Sequence, residues 1–225
     1  MTEYRNNYAN LVVLGGFNPA ILTHEFLVKE CDLQLGSEPH RRVELNPVVS
    51  SLEYNDVSFF ADLGRLEIKQ KNCADPKSSF VADYLACYME KLPYTPVTKC
   101  GTNLSYVIGP DKTRLDRLNE WLRTDRRRFY GLLKHPVISL EVSFHPEGDS
   151  ETVVGWVLKM KSDDGNAVIT LKTAISDTHS GDVSVDFNYE VSGLDKDKSR
   201  LHGMLRNYAP IVDLFMEQVG ALFGA

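Results

Sequence analysis

FVADYLACYMEKL, residues 80–92, decides the reading of the fold, because part of it recurs. Phe80, Tyr84, Leu85, Tyr88, Met89 and Leu92 return at helical spacing and define one apolar helix face, which Pro93 ends. Near the C-terminal end, PIVDLFMEQV at residues 210–219 carries the same closing pattern. Tyr88-Met89-Glu90-Lys91-Leu92 aligns with Phe215-Met216-Glu217-Gln218-Val219, two identical pairs and three similar ones. Internal repeats are read before anything else, since they set the architecture.

A second match lies upstream. Asn10-Leu11 with Gly16 aligns with Asn103-Leu104 with Gly109, an offset of 93, while the helix match has an offset of 127. The chain between these landmarks has the same element order twice. Asn10 to Leu14 reads as a buried strand before Gly15-Gly16, and Asn18-Pro19 starts a helix predicted to reach about Cys31. Residues 33–45 hold at most one edge strand, and strands are predicted over 48–54, 57–63 and 65–71, with turns at Asn55-Asp56 and Gly64. Asp75-Pro76 caps the helix at 80–92. The second round has a strand over 96–108, a helix started at Gly109-Pro110-Asp111, and a further helical segment over 125–133 capped by Thr124. Strands then follow over 137–145, 152–161, 167–175 and 183–191, with turns at Asp163-Asp164-Gly165 and Ser180-Gly181. Val183, Val185, Phe187, Tyr189 and Val191 alternate with polar residues, the pattern of an antiparallel sheet with one face on a core and one in water. A helical region over 195–223 closes the chain, and Pro210 is expected to kink or split it.

The expected fold is therefore α+β: one antiparallel sheet built from two pseudo-repeats, each strand, helix, three or four strands, helix, with the helices on one face. It is a single domain over 1–225 with halves at about 10–92 and 103–219. Met89 and Met216 are expected to be buried in equivalent places, with Met216 on Phe187 and Tyr189. This order resembles the half-domain of the TATA-binding protein fold. That resemblance implies two halves joined into a curved saddle with helices on its convex side, and carries no binding motif with it. The strand Gly101-Thr102-Asn103-Leu104-Ser105-Tyr106 and the last helices, with Leu201-His202 and Phe215, are also similar to a sporadically distributed family of uncharacterised bacterial proteins, from which no activity transfers.

Composition bounds the function. The chain has 225 residues, 43% hydrophobic and 25% charged, as in an ordinary globular protein. Net charge is −6, so binding to nucleic acid requires a local basic patch. Cys31, Cys73, Cys87 and Cys100 stand singly, read as free thiols in a reducing compartment, with Cys87 buried in the helix at 80–92. No leader opens the sequence and no apolar run reaches membrane-spanning length, so no membrane and a cytoplasmic place are expected. His24, His40, His135, His145, His179 and His202 are scattered without metal-ligand spacing. No catalytic residue, metal or cofactor is expected.

Residues 15–24, GGFNPAILTH, resemble the Gly-Gly-Thr-Phe-Asp/Asn-Pro-x-His-x-Gly-His signature of nucleotidyltransferases. In that family two histidines stabilise charge on the phosphates. Here one residue is missing after Gly16, Ile21 and Thr23 replace the first histidine and the glycine, and only His24 remains. A Gly-Gly turn followed by a proline-started helix accounts for the same residues. The second candidate is basic. Residues 111–134 hold Lys112, Arg114, Arg117, Arg123, Arg126, Arg127, Arg128 and Lys134 among four acids, a net +4 that leaves the remainder at −10. Arg123, Arg126, Arg127 and Arg128 cluster where the helical segments bend, and their guanidinium forks suit phosphates. A solvated face with intrahelical ion pairs is the simpler reading of the same charges.

The third candidate is the water-facing side of the second sheet half, with Glu141, Lys159, Lys161, Lys172, Asp186, Asn188 and Glu190 beside Ser139, Ser143 and Ser184. Its three lysines and three acids give no basic face for DNA. The leading expectation is a non-catalytic interaction protein, not an enzyme, that presents this face to a protein partner or to another copy of itself. A bacterial accessory component of the defence or toxin–antitoxin kind fits that reading. The alternatives are a nucleic-acid binder using 112–134 and a nucleotide-using enzyme at 15–24.

Overall fold

The computed structural model describes residues 3–36, 38–45, 48–73, 75–109, 112–147, 150–175, 182–197 and 199–224. Its strands are β1 (Glu3–Gly15), β2 (Arg41–Leu45), β3 (Val49–Glu53), β4 (Val57–Asp62), β5 (Arg65–Lys71), β6 (Val97–Gly109), β7 (Val137–Glu147), β8 (Ser150–Lys161), β9 (Ala167–Ile175) and β10 (Val183–Ser192). Its α-helices are α1 (Val81–Lys91), α2 (Lys112–Thr124), α3 (Arg126–Tyr130), α4 (Ser199–Arg206) and α5 (Tyr208–Phe223). The class is mixed α and β, with an antiparallel sheet of ten strands in the order β2-β3-β4-β5-β1-β6-β10-β9-β8-β7. The expected turn at Ser180-Gly181 and the helix start at Pro110-Asp111 lie outside the described residues.

Two compact units divide the chain: residues 8–103 with 190–209, and residues 1–7, 104–189 and 210–225. In the first unit the period-two pattern fixes the register. Leu11 stands opposite Ile68, Ile68 opposite Phe59, and Phe59 opposite Leu52. The next row is Val13, Leu66, Ala61 and Ser50. All of these are buried, and one face of the sheet is thereby closed by aliphatic and aromatic carbon. The Ser50 hydroxyl escapes the cost of burial by donating to the Leu22 carbonyl at 2.7 Å. Helix α1 turns Val81, Leu85, Tyr88 and Met89 inward, and Tyr88 meets Phe26 edge-on with ring centroids 5.3 Å apart. Asp75 does cap, but its carboxylate accepts from Lys77 N in a separate 3-10 turn, Pro76–Ser78. Helix α1 starts only at Val81, after Gln70 has taken Ser79 Oγ and Phe80 N. Of the four cysteines Cys31, Cys73 and Cys100 are buried, while Cys87 is half-buried and donates to the Cys31 carbonyl.

In the second unit Leu158 pairs with Leu171 and Met160 with Ile169, again on a buried face. Phe215 of α5 packs on Tyr106 and Phe187 with centroids 5.0 and 5.1 Å away, and Phe129 of α3 meets Trp156 edge-on at 5.4 Å.

Two sequence expectations are corrected here. Residues 18–31 are not one helix: a 3-10 turn at Pro19–Ile21 is followed by a π-helical turn at Phe26–Glu30, and Asp32 then takes a positive φ of 52°. The helical region over 195–223 is split, as expected, into α4 and α5 at Asn207, one turn before Pro210, which sits in the first turn of α5 where no intrahelical partner is lost. Finally, Met216 is only half-buried while its expected counterpart Met89 is buried, and Phe215 fills the place on Phe187. Gln218, matched to exposed Lys91, is fully buried.

Candidate nucleic-acid interface

The basic segment is built on a thin apolar seam. Leu118 and Leu122 of α2 and Phe129 of α3 are buried, which leaves Arg117, Arg123, Arg126, Arg127 and Arg128 on the exposed side. The bend is made by Asp125, non-helical at φ −147° and ψ 76°, which precedes α3. Thr124 is not the cap: its hydroxyl turns back to the Glu120 carbonyl at 2.7 Å.

The eight basic residues separate into two kinds. Arg114 is structural, since its Nε donates to the Leu222 carbonyl at 2.9 Å and its fork also reaches the Ala221 carbonyl, which satisfies the carbonyl end of α5. Lys134 is spent on Glu217 at 2.8 Å. Arg128 leans on Asp125 at 3.2 Å, and Arg126 Nε reaches the Leu122 carbonyl at 3.3 Å, both remaining exposed. Arg117, Arg123 and Arg127 make no ion pair or side-chain hydrogen bond among the described residues. The Lys112 side chain lies outside the described residues. Beside these arginines Arg114, Arg117, Leu118, Trp121 and Leu132 line a cavity of about 140 Å³.

On the sheet face, Glu141, Lys159, Lys161 and Lys172 are exposed, as their alternation predicts. Cross-strand pairing puts Glu141 and Lys172 on either side of Val157, and Lys159 between Ser139 and Thr170. Asp186 and Glu190 are half-buried and committed: Ser105 Oγ donates to Asp186 at 2.7 Å, and Lys99 pairs with Glu190 at 3.1 Å. Asn188 is half-buried as well.

The Gly-Gly turn has a structural role. The amides of Gly15, Gly16 and Phe17 donate to the carbonyls of Gly64, Pro96 and Leu63, so none points to a phosphate. A Cβ on Gly15 would lie 2.0 Å from the Pro96 oxygen, which is why glycine stands there. His24 faces a phenol and a carboxylate: Nδ1 is 2.9 Å from the Tyr54 hydroxyl and Nε2 is 3.4 Å from Glu38. Burial, with Glu38 nearby, pushes the Tyr54 hydroxyl up to about 12. An acidic neighbour is the wrong partner for a residue meant to neutralise phosphate charge, and a nucleotide-using site at 15–24 is not what this geometry builds. No cluster of potential metal ligands occurs among the described residues; His179 and the side chain of His145 lie outside them. No described helix is long and apolar enough to cross a membrane.

No protein-family model matches the chain, and no curated protein does. Among solved structures it is similar to a rolling circle replication initiator protein from Geobacillus stearothermophilus. The two share 9% identity and a TM-score of 0.36 over 94% of this chain and 80% of the other. The expected non-catalytic interaction protein is corrected at this point. The sheet face meant for the partner uses Asp186 and Glu190 internally, while exposed arginines stand on α2 and α3. At this identity and TM-score the likeness assigns this chain no activity.

Proposed function

We propose that this protein binds nucleic acid through the arginines of α2 and α3. The observation that carries the reading is the exposure of Arg117, Arg123 and Arg127 without a counter-charge among the described residues, in a segment of net +4 on a chain of net −6. An exposed guanidinium left without an acid is open to a phosphate, and Arg126 and Arg128 stand beside it at the same bend. Release of condensed counterions supplies most of the affinity of such a surface. No catalytic step belongs to this reading, and a cytoplasmic place goes with it. Anisotropy of labelled single- and double-stranded oligonucleotides across a salt series tests it. Binding is expected to weaken steeply with salt. Arg123→Ala with Arg127→Ala is expected to flatten the log–log slope by about 0.7–0.9 for each phosphate that the variant no longer neutralises. Absence of binding at low salt, or an unchanged slope, refutes it.

The fold belongs to the same reading as a tandem duplication like that of the TATA-binding protein, with the helices on one face of the sheet. Strand order supports this: β2-β3-β4-β5-β1 and β7-β8-β9-β10-β6 run alike within the sequence of each half. Asn10 and Asn103, matched at the offset of 93, bond side chain to side chain at 2.7 Å. The differing burial of Met89 and Met216 does not support the duplication, and on this reading it requires divergence of the last helices. An experimental structure in which residues 10–92 and 103–219 fail to superpose removes the duplication.

A further inference from the structure

We infer that the cleft beside Trp121 receives one unpaired nucleobase, so that the nucleic acid bound is single-stranded; this rests on the nucleic-acid reading above. The cavity of about 140 Å³ is well below the roughly 300–1,000 Å³ of sites that enclose a drug-sized ligand. It suits a single planar ring. Leu118 is 1% exposed and forms an apolar floor, with Leu132 beside it and half-buried Trp121 offering an aromatic face. The rim is cationic. Arg117 precedes Trp121 by one helical turn and makes no ion pair among the described residues, while Arg114 is held in place by the carbonyls that end α5.

An aromatic face between guanidinium groups is the chemistry that holds a splayed base with its phosphates. In a duplex each base is already stacked on both sides and offers only its edges, so it cannot enter such a cleft. The charge selects the occupant. An aromatic side chain from a protein would fill the same floor but leave Arg117 without an anion, whereas a nucleotide brings its own.

The full chain carrying Trp156→Phe leaves Trp121 as the single tryptophan, because the sequence has two and Trp156 is 4% exposed against Phe129. Oligothymidylate about 12 nucleotides long is expected to quench its emission saturably at low salt. In the otherwise native chain, Trp121→Ala is expected to weaken oligothymidylate binding by roughly 5- to 150-fold, the value of one stacked base. Trp121→Phe is expected to restore most of that loss, and its circular dichroism separates lost stacking from lost folding. Binding of the matching duplex is expected to change by less than about twofold with either variant. Equal binding of duplex and single strand without quenching, with Arg123→Ala and Arg127→Ala still weakening both, overturns the base site and leaves the nucleic-acid reading standing. Binding of neither probe overturns both. Quenching by an aromatic peptide but not by oligothymidylate assigns the cleft to a protein and overturns this inference.

Discussion

Gly15 ends β1 where the chain at Pro96 passes too close for any side chain. A Cβ there would meet a backbone oxygen, which cannot rotate away. Gly15→Ala is expected to cost about 1–3 kcal/mol or more in urea unfolding, as overpacking against fixed atoms does. Gly203, inside α4, meets nothing within 4 Å, and Gly203→Ala is expected to be neutral or to stabilise by up to about 1 kcal/mol in the same assay. The Asp163-Asp164-Gly165 turn holds a second residue-scale effect. Asp164 accepts from Ser162 Oγ at 2.6 Å and from the Asn166 amide and side chain, which hold its carboxyl down at about 2. A carboxylate whose pKa is lower folded than unfolded stabilises above its unfolded value, and that contribution is lost as pH falls through the folded one. Stability is therefore expected to fall between about pH 4 and pH 2, and Asp164→Asn to flatten that part of the profile. The group is exposed, so the effect is small; an unchanged slope in the Asn variant would contradict the assignment.

At the scale of the element, α5 shows how a motif match can mislead about burial. Phe215 is fully buried between Tyr106 and Phe187, and Phe215→Ala is expected to cost about 3–5 kcal/mol. Met216, one step round the helix, is half-buried, and Met216→Ala is expected to cost less than Met89→Ala, which falls in the usual core range of about 2–5 kcal/mol. Gln218 is the unusual residue of this helix: it is fully buried, and neither amide atom has a hydrogen-bond partner among the described residues. Gln218→Met, which keeps the volume and removes the unpartnered groups, is expected to leave the melting temperature unchanged or raise it. A marked fall would mean that the amide is satisfied by a bound water or ligand.

For the molecule as a whole, the sheet sets the folding problem. Leu11 pairs with Ile68 across a long loop of sequence, and the other strands must wait on such pairings. Non-local pairing of this kind folds in about milliseconds to seconds, and chains of this length commonly pass through intermediates. Refolding followed by tryptophan emission is therefore expected to be slow and multiphasic. A single microsecond phase carrying the whole amplitude would contradict it. Charge is the other property of the whole chain. A net −6 makes the molecule a poor ligand for polyanions on average, and only the separation of +4 into residues 111–134 reverses that locally.

The strands are legible in the sequence because their information is local. Alternation at Arg65–Lys71 and Ala167–Ile175 gives the structural bounds directly, and the helix face at 80–92 appears as α1. The aliphatic rows of the core follow from the same period. What the sequence does not contain is partnership between distant residues. That Arg114 closes the end of α5 and Lys134 meets Glu217, while Arg117, Arg123 and Arg127 remain unpaired among the described residues, depends on which elements lie beside α2. The Trp121 cleft escapes a reading of the sequence for the same reason, since Leu132 reaches it only after α2 and α3 have bent at Asp125. The one sequence signal it leaves is an aromatic residue within a run of arginines. Composition and periodicity determine which face of an element turns inward; only the tertiary structure decides which outward charges are left over, because that is a sum over neighbours the chain order does not record.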